Sequence, residues 1–291
     1  MPKVSIGLPI FNGEKYIRNA LSSLLSQTFS DFELIISDNA STDSTRMICE
    51  EFANKDKRIR YFRQKNNIGI FYNYIFVLKQ SSCDYFQWAA VDDLWHPEFL
   101  EKNIRVLEND DTLIGSISAV ELYDTIPSNW RLLVKNTSIS NLKFHSVKPM
   151  FGSYSKKIST YLKLRQVAGI YGVYHTDKLR KSISHIKGFY LWDFEVVLSI
   201  IKFGNLHVID EILMYKFTKG ITGAQTPLDY ALSVKSPTHV ILFPHLFFTI
   251  RCMKQFGMIA SLQNFHLIFR YFAQGQSQLF LDIIALIKRK M

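Results

Sequence analysis

Residues 4–27 read VSIGLPIFNGEKYIRNALSSLLSQ, and this stretch decides the fold. Its first part, Val4–Phe11, is an apolar run of strand length that ends in an Asn-Gly turn. Behind the turn, apolar residues recur at helical spacing through Glu14–Gln27, which predicts an amphipathic helix. A strand that leads directly into such a helix is the first half of a βαβ unit, so the segment predicts a parallel sheet covered by helices.

Strands and helices continue to alternate along the chain. Further strands are predicted at Phe32–Ser37, Ile59–Arg63, Tyr85–Val91 and Leu113–Val120, and helices at Ser44–Phe52, Ile70–Lys79 and Pro97–Leu107. After an irregular segment, 124–150, helices are predicted near Lys156–Arg165, Thr176–Ser184 and Asp193–Phe203, and strands at Val167–His175 and His207–Phe217. We therefore expect one α/β domain over residues 1–226, with a mostly parallel sheet flanked by helices, and a helical C-terminal appendage over residues 227–291.

The composition indicates an anionic partner and excludes several classes of protein. The 291 residues carry a formal charge of +10, and 47% of them are hydrophobic, which permits a large core. Cys49, Cys83 and Cys252 are too few and too scattered for a disulfide framework or a zinc site, so a reducing compartment is expected. No helix-turn-helix, zinc or RNA-recognition motif occurs, so nucleic acid is not an expected partner.

Two adjacent carboxylates follow one of the predicted strands. The segment 85–97 reads YFQWAAVDDLWHP, so Asp92 and Asp93 lie between an apolar strand and the next helix. Ligands of open α/β sheets bind beyond the carboxyl ends of strands, and two adjacent like charges favour a bound cation. A solvated turn in which one aspartate caps the next helix is the alternative interpretation.

Four motifs in the first 110 residues resemble the family 2 glycosyltransferases, which have the GT-A fold. They are the opening segment, FELIISDNASTDST at 32–45, NNIGIFYNY at 66–74 and WAAVDDLWHPEFL at 88–100. A weaker similarity continues to about Gly223. The resemblance implies a GT-A type, Rossmann-like sheet with a nucleotide-sugar-binding half, 1–123, and an acceptor-side half, 124–226. It also implies an enzyme that moves a sugar from a nucleoside-diphosphate sugar to an acceptor hydroxyl, with inversion.

The resemblance assigns donor-binding roles to residues at the strand ends. Asp38 is expected to accept a hydrogen bond from a uracil ring, and Lys216 to contact the diphosphate. Asp93, with Asp92 beside it, is expected to hold Mg2+ or Mn2+ between the phosphates of a UDP- or dTDP-type donor. Ordinary turn chemistry is the alternative for several of these positions. The remaining nucleotide-binding positions implied are Pro9, Phe11, Asn12, Glu14, Asn67 and Gly69.

The sequence departs from the family pattern at two places that bear on the metal. Ala90 stands where many members have an earlier acidic residue, and Thr218 stands where many have a histidine. The cation would therefore depend on few protein ligands. These departures keep a second hypothesis open, a non-catalytic relative that binds nucleotide or glycan and acts as a membrane-associated scaffold.

Asp193 is the candidate general base of the implied reaction. It opens a predicted helix behind an aromatic run, and a partly enclosed carboxylate has a raised pKa, which suits a base. The acceptor implied is a saccharide or a lipid-linked saccharide, as in the synthesis of cell-surface polysaccharide or glycolipid. Glu195 is a rival base, and an aspartate placed only to favour the helix dipole is the alternative for Asp193.

The C-terminal tail is aromatic and basic. From Ala231 onward the sequence contains seven Lys or Arg residues and one acidic residue, Asp282. Basic residues beside aromatic ones favour binding to an anionic membrane surface, whereas a helical appendage packed on the domain is the alternative. No apolar run reaches the roughly 20 residues of a spanning helix, and no signal peptide precedes Val4. We therefore expect a cytoplasmic protein, with the cytoplasmic face of the membrane as a candidate location.

Overall fold

The computed structural model describes residues 1–125, 130–131, 144–145, 147–164, 167–188, 191–220, 244–273 and 277. Within these residues nine strands form a single mixed sheet, in the order β3-β2-β1-β4-β8-β6-β9-β5, with β7 paired to β6. The strands are β1 (Val4–Ile10), β2 (Phe32–Asp38), β3 (Ile59–Arg63), β4 (Tyr85–Trp88), β5 (Leu94–Trp95), β6 (Leu113–Tyr123), β7 (Phe144–His145), β8 (Val173–His175) and β9 (Asn205–Phe217).

Helices cover this sheet and form the described part of the appendage. They are α1 (Ile17–Leu25), α2 (Thr45–Lys55), α3 (Ile70–Gln80), α4 (Phe99–Glu108), α5 (Tyr154–Leu164), α6 (Thr176–Ile183), α7 (Trp192–Ile200), α8 (Pro244–Phe256) and α9 (Met258–Gln263). Residues 265–273 are also helical. None of the helices in these described ranges is long and apolar enough to cross a membrane.

The first half of the sheet has the predicted parallel βαβ arrangement. β1 pairs in parallel with β2 on one side and with β4 on the other, and β2 pairs in parallel with β3. Every residue of β1 is buried because the strand lies inside the sheet with helices packed over it. Parallel strands end at the same edge, so the loops after β1, β2 and β4 converge there.

Beyond β4 the sheet becomes mixed. β8 runs antiparallel to both β4 and β6, while β6 and β9 form a long parallel pair. The two-residue strand β5, which the sequence pattern does not predict, pairs antiparallel with the end of β9. This pairing brings the residues after β4 against the end of β9, so it positions the candidate site.

Two elements differ from the sequence prediction. The predicted strand Val167–His175 begins as a 3-10 turn, Val167–Tyr171, and only Val173–His175 is extended. Helix α7 ends at Ile200, and a turn brings Gly204 so close to β6 that an added Cβ would lie 2.8 Å from the Ile114 Cβ. The close approach of this turn to Ile114 of β6 therefore explains why a residue without a side chain stands at position 204.

The described part of the appendage packs on the domain. The Phe194 ring lies 5.9 Å from Phe248 and 5.2 Å from Tyr271, measured between ring centroids. Arg251 on α8 binds Glu195 on α7, with Nε and Oε2 2.9 Å apart. The appendage prediction therefore holds for 244–273 as a helical unit, while the ranges 221–243 and 278–291 lie outside the described residues.

Candidate functional site

The loops after β1 and β2 are bonded into one unit. Asn12, which has a positive φ of 50°, accepts a hydrogen bond from the Thr42 N–H at 2.9 Å and donates its own backbone N–H to the Ser41 hydroxyl at 2.9 Å. Glu14 accepts from the Ser44 N–H at 2.9 Å. The predicted site residues Asn12 and Glu14 thus hold the rim of the site in place.

Pro9 and Phe11 differ in their exposure at the end of β1. Pro9 is buried in the strand, paired with Ser37 of β2. Phe11 is 37% exposed at the tip of the loop. Of the two, Phe11 has an accessible ring that could stack on a flat ligand.

Asp38 is not arranged as the resemblance implied. Its carboxylate is fully buried, accepting from the Ser41 N–H on Oδ1 and from both Tyr61 and Arg63 on Oδ2, all within 2.8 Å. With these partners it anchors β2 to β3 and offers no surface to a nucleobase. The correction follows from burial, because a residue at a strand end points either into the sheet layers or toward the loop.

Asn39, the next residue, takes part in the loop region and was missed by sequence reasoning. Its Oδ1 accepts from the Ile68 N–H at 2.8 Å, and its Nδ2 donates to Asn67 Oδ1 at 3.0 Å. Asn67 also accepts from the Gly69 N–H, and Gly69 has a φ of 88° that only glycine adopts readily. The predicted residues Asn67 and Gly69 therefore form a turn that joins the loop after β2 to the start of α3.

Asp92 and Asp93 have different surroundings. Asp93 is fully buried, accepts from the Phe217 N–H at 3.0 Å and lies 3.5 Å from the Lys216 ammonium. Burial raises the pKa of the Asp93 carboxyl, while Lys216 opposes the shift. Asp92 is partly exposed, and its carboxylate lies against Gly220, where an added Cβ would meet Oδ2 at 1.7 Å. A side chain at position 220 would therefore displace the Asp92 carboxylate from its present place.

Lys216 lies between Asp93 and the buried ring of Tyr171. Its Nζ lies 5.0 Å from the Tyr171 ring centroid as well as beside Asp93. Burial lowers the pKa of Lys216, but Asp93 and Asp92 outweigh this effect, so the pKa is raised and the side chain stays charged. Lys216 is thus a fixed positive charge where the resemblance places a diphosphate contact.

Asp193 lies in the same electrostatic neighbourhood. Its Oδ1 is buried and has no hydrogen-bond partner among the described residues. Burial raises the pKa of Asp193, while backbone N–H groups and Lys216 lower it in part. Leu191, with a positive φ of 59° just before α7, sets the entry of this helix. An enclosed carboxylate with one oxygen that lacks a hydrogen-bond partner is suited to accept a proton.

Glu195, the rival base, already has a cationic partner in this structure. It is 3% exposed and is bonded to Arg251 of the appendage. Its neighbour on the helix, Trp192, is also buried and packs edge-on against Phe71 and Tyr74, so it forms part of the core. Of the two acidic residues of α7, Asp193 has a fully buried carboxylate oxygen without a hydrogen-bond partner in the described part of the chain, whereas Glu195 is paired with Arg251.

The donor set near β4 suits a hard divalent cation. Asp93 Oδ2 is buried without a hydrogen-bond partner among the described residues, and Asp92 is partly exposed beside it. Within the described ranges no group of three or more His, Cys, Asp or Glu side chains converges. The protein would therefore supply one or two carboxylates, which is how Mg2+ is commonly held when substrate phosphates and water complete its shell.

Comparison with known proteins identifies the family. The family model described as glycosyl transferase family 2 matches residues 5–163, more than half of the chain. The chain therefore belongs to glycosyltransferase family 2. An uncharacterized glycosyltransferase of Rickettsia typhi is 33% identical over 116 residues, which are 39% of this chain and 35% of that protein. An uncharacterized glycosyltransferase of Haemophilus influenzae is 33% identical over 121 residues, which are 42% of this chain and 38% of that protein. The chain thus matches less than half the length of these relatives.

Solved structures confirm the GT-A type fold. Residues 1–349 of S. aureus TarS in complex with UDP-GlcNAc align with 96% of this chain and 70% of that one, with a TM-score of 0.63 and 16% identity. The mannosyltransferase PcManGT from Pyrobaculum calidifontis, in complex with GDP-Man and Mn2+, aligns over 100% of this chain and 88% of its own, with a TM-score of 0.54 and 12% identity. At these identities the likeness concerns the fold alone.

Proposed function

We propose that this chain is a glycosyltransferase that moves a sugar from a UDP- or dTDP-type donor to an acceptor hydroxyl. Membership of family 2 and the fold shared with a UDP-GlcNAc complex support the reaction class. The observation that carries the proposal is the enclosed, unpartnered Oδ1 of Asp193 in electrostatic reach of Lys216, which lies beside Asp93. A charged group for a diphosphate and a base for a hydroxyl are what such a transfer needs.

Asp92 is the proposed principal ligand of a divalent cation, Mg2+ or Mn2+. The sequence assigned this place mainly to Asp93, but Asp93 is fully buried and already bonded to Phe217, whereas Asp92 is partly exposed. Asp93 Oδ2, which lies 3.5 Å from the Lys216 ammonium, is the proposed second donor. A cation here would neutralise the charge that develops on the departing nucleoside diphosphate.

The nucleoside is proposed to lie over the loops after β1, β2 and β3. Phe11 offers an exposed ring for stacking, and Asn67 is exposed on the opposite loop. Asn39 fixes that loop through Asn67, so it is a positioning residue in place of the direct role first expected for Asp38. Lys216 is proposed to balance the negative charge of the diphosphate.

Asp193 is proposed to accept the proton of the acceptor hydroxyl while the hydroxyl oxygen attacks the anomeric carbon and the nucleoside diphosphate departs. Attack from the side opposite the leaving group gives inversion. A saccharide or lipid-linked saccharide is the proposed acceptor, in the synthesis of cell-surface polysaccharide or glycolipid.

Donor hydrolysis tests this proposal without knowledge of the acceptor. Many transferases release nucleoside diphosphate slowly to water, so a panel of UDP- and dTDP-sugars is incubated with the full chain, with Mn2+ or with a chelator. We expect release of UDP or dTDP from at least one donor, and loss of this release in the Asp92→Asn variant. Tight donor binding without any turnover in the presence of varied saccharide acceptors would identify a binding protein instead.

A further inference from the structure

The outer side of the appendage is apolar. Four apolar residues of α9 and of the helical segment 265–273 that follows it, spaced four, three and four apart, are largely exposed. Their exposed fractions are 78% for Met258, 70% for Leu262, 54% for Phe265 and 57% for Phe269. Other residues of the same stretch, among them Leu267, are buried against the domain. The exposed side is thus a second apolar face in addition to the one that packs.

Further exposed apolar side chains accompany these four residues. The rings of Phe265 and Phe269 are stacked, with centroids 6.2 Å apart and planes at 21°. The neighbouring helix α8 exposes Leu246, Ile250 and Met253, again four and three residues apart. Single exposed apolar residues are ordinary, but contiguous apolar patches on a soluble domain mark an interaction surface.

The charges beside this surface are all positive. Residues 244–273 contain no aspartate or glutamate, while Lys254 and Arg270 are exposed. The nearby Arg251 binds Glu195 of the domain, so its charge is already offset. Two copies of the chain that met through this face would place these cations together, which costs free energy. A partner with negative charge over an apolar interior meets both requirements.

We propose that the outer appendage face, formed by Met258, Leu262, Phe265 and Phe269 with Lys254 and Arg270, docks on an anionic phospholipid surface. Apolar side chains enter the boundary between headgroups and acyl chains, and the cations contact lipid phosphates. Docking in this way would hold the domain beside any lipid-linked acceptor. The inference concerns binding alone and does not depend on the proposed sugar transfer.

Vesicle flotation of the full chain tests the proposal. Vesicles of phosphatidylcholine alone are compared with vesicles containing about 30% phosphatidylglycerol. We expect flotation with the anionic vesicles at low salt and a marked reduction at about 0.5 M salt, where the Debye length is only a few ångströms. The Phe265→Ser/Phe269→Ser variant should lose about tenfold or more in affinity, because it lacks the two aromatic side chains that enter the lipid boundary in the bound state.

Matched variants separate this face from general surface effects. The control Met47→Ser/Phe203→Ser changes two exposed apolar residues outside the appendage and should float like the unmodified chain. Lys254→Gln/Arg270→Gln should weaken binding by about fivefold per charge, whereas Lys57→Gln/Lys181→Gln, also at exposed positions, should lose less. All four should keep the melting temperature of the parent, since the residues are exposed.

Results of two kinds, from flotation and from light scattering, would overturn the proposal. One is equal flotation of the Phe265→Ser/Phe269→Ser variant and the unmodified chain, or no flotation with anionic vesicles at low salt. The other kind is a dimer in light scattering that the two aromatic substitutions convert to a monomer, together with no vesicle binding. This result would assign the face to a second copy of the chain.

Discussion

At the scale of single residues, neighbouring side chains on one strand end have opposite environments. Asp92 is partly exposed, while Asp93 is buried and bonded to the backbone of β9. Asp38 and Asn39 are both buried and differ in their partners, because Asp38 accepts from Ser41, Tyr61 and Arg63, whereas Asn39 bonds to the loop that carries Asn67. The buried carboxylates of Asp93 and Asp38 join strands of the sheet, while Asp92 is accessible and Asn39 fixes a loop.

The aspartate pair yields the first prediction. Asp92→Asn should leave stability nearly unchanged but remove the Mn2+-dependent part of UDP binding. Asp93→Asn should cost only about 1 kcal/mol of unfolding free energy, because Lys216 loses its charge partner but a buried charge that is itself costly is removed. Urea denaturation and UDP titration with and without Mn2+ measure the two effects. The reverse pattern would return the principal metal role to Asp93.

Asp193 yields the second prediction. Asp193→Asn should reduce turnover by about 10²–10⁴-fold, as expected for loss of a positioned base, with near-normal UDP affinity. Its stability at neutral pH should be equal or higher, since burial raises the pKa of Asp193 and so disfavours its charged form in the folded state. That advantage should shrink as the pH falls and the parent carboxyl becomes protonated.

The pH dependence of the parent enzyme is a third prediction with a defined sign. The base must be ionised, so turnover should rise with pH through the raised pKa of Asp193 and then level off. The inflection should lie above the usual range of an aspartate. A rate that is flat across this range in the parent, at saturating donor and acceptor, would remove Asp193 from the chemical step.

At the scale of elements, helix α7 connects the site to the appendage. The Oδ1 of Asp193 is buried without a hydrogen-bond partner among the described residues, while Glu195, two residues later, binds Arg251 of α8. Phe194 between them packs on Phe248 and Tyr271. The appendage therefore supports the helix that carries the proposed base.

Breaking this connection is the fourth prediction. Arg251→Ala should destabilise the chain by about 1–3 kcal/mol, because Glu195 is left buried without its cation. Glu195→Gln should cost less and should keep substantial activity, which separates it from Asp193→Asn. Thermal unfolding of both single variants and the double variant measures the coupling between them. A coupling near zero would show that the ion pair does not hold the appendage.

The sequence predicted the elements whose apolar residues recur with one clear helical or strand period. It did not predict contacts between residues that are far apart along the chain. The run VSIGLPI and the spacing in 14–27 identified β1 and α1, and the motif at 88–100 located the aspartate pair. Val167–His175 was assigned wholly to a strand because a short apolar run fits either conformation. The different roles of Asp193 and Glu195 depend on Arg251, more than fifty residues later, and no local pattern contains that contact.

At the scale of the whole molecule, the described part of the appendage packs on the domain and also keeps an exposed apolar face, whereas its binding to a membrane stays a proposal. Phe248, Cys252 and Leu267 are buried against the domain, while Phe265 and Phe269 face outward. Removal of residues after Thr226 would therefore expose part of the core as well as delete the outer face. For that reason surface substitutions, and not truncation, are the sound test of membrane binding.

Nucleotide binding is the measurement that tests the central claim most directly. Thermal unfolding of the full chain is followed with UDP, dTDP, ADP and UDP-sugars, each with Mn2+ or with a chelator. At about 100 times the dissociation constant, a ligand adds about 2.7 kcal/mol, which is roughly 5 °C for a chain of this size. We predict such a shift for UDP or dTDP ligands with Mn2+, and its loss in Asp92→Asn. No shift with any nucleotide, or the same shift in the chelator and in Asp92→Asn, would contradict the account.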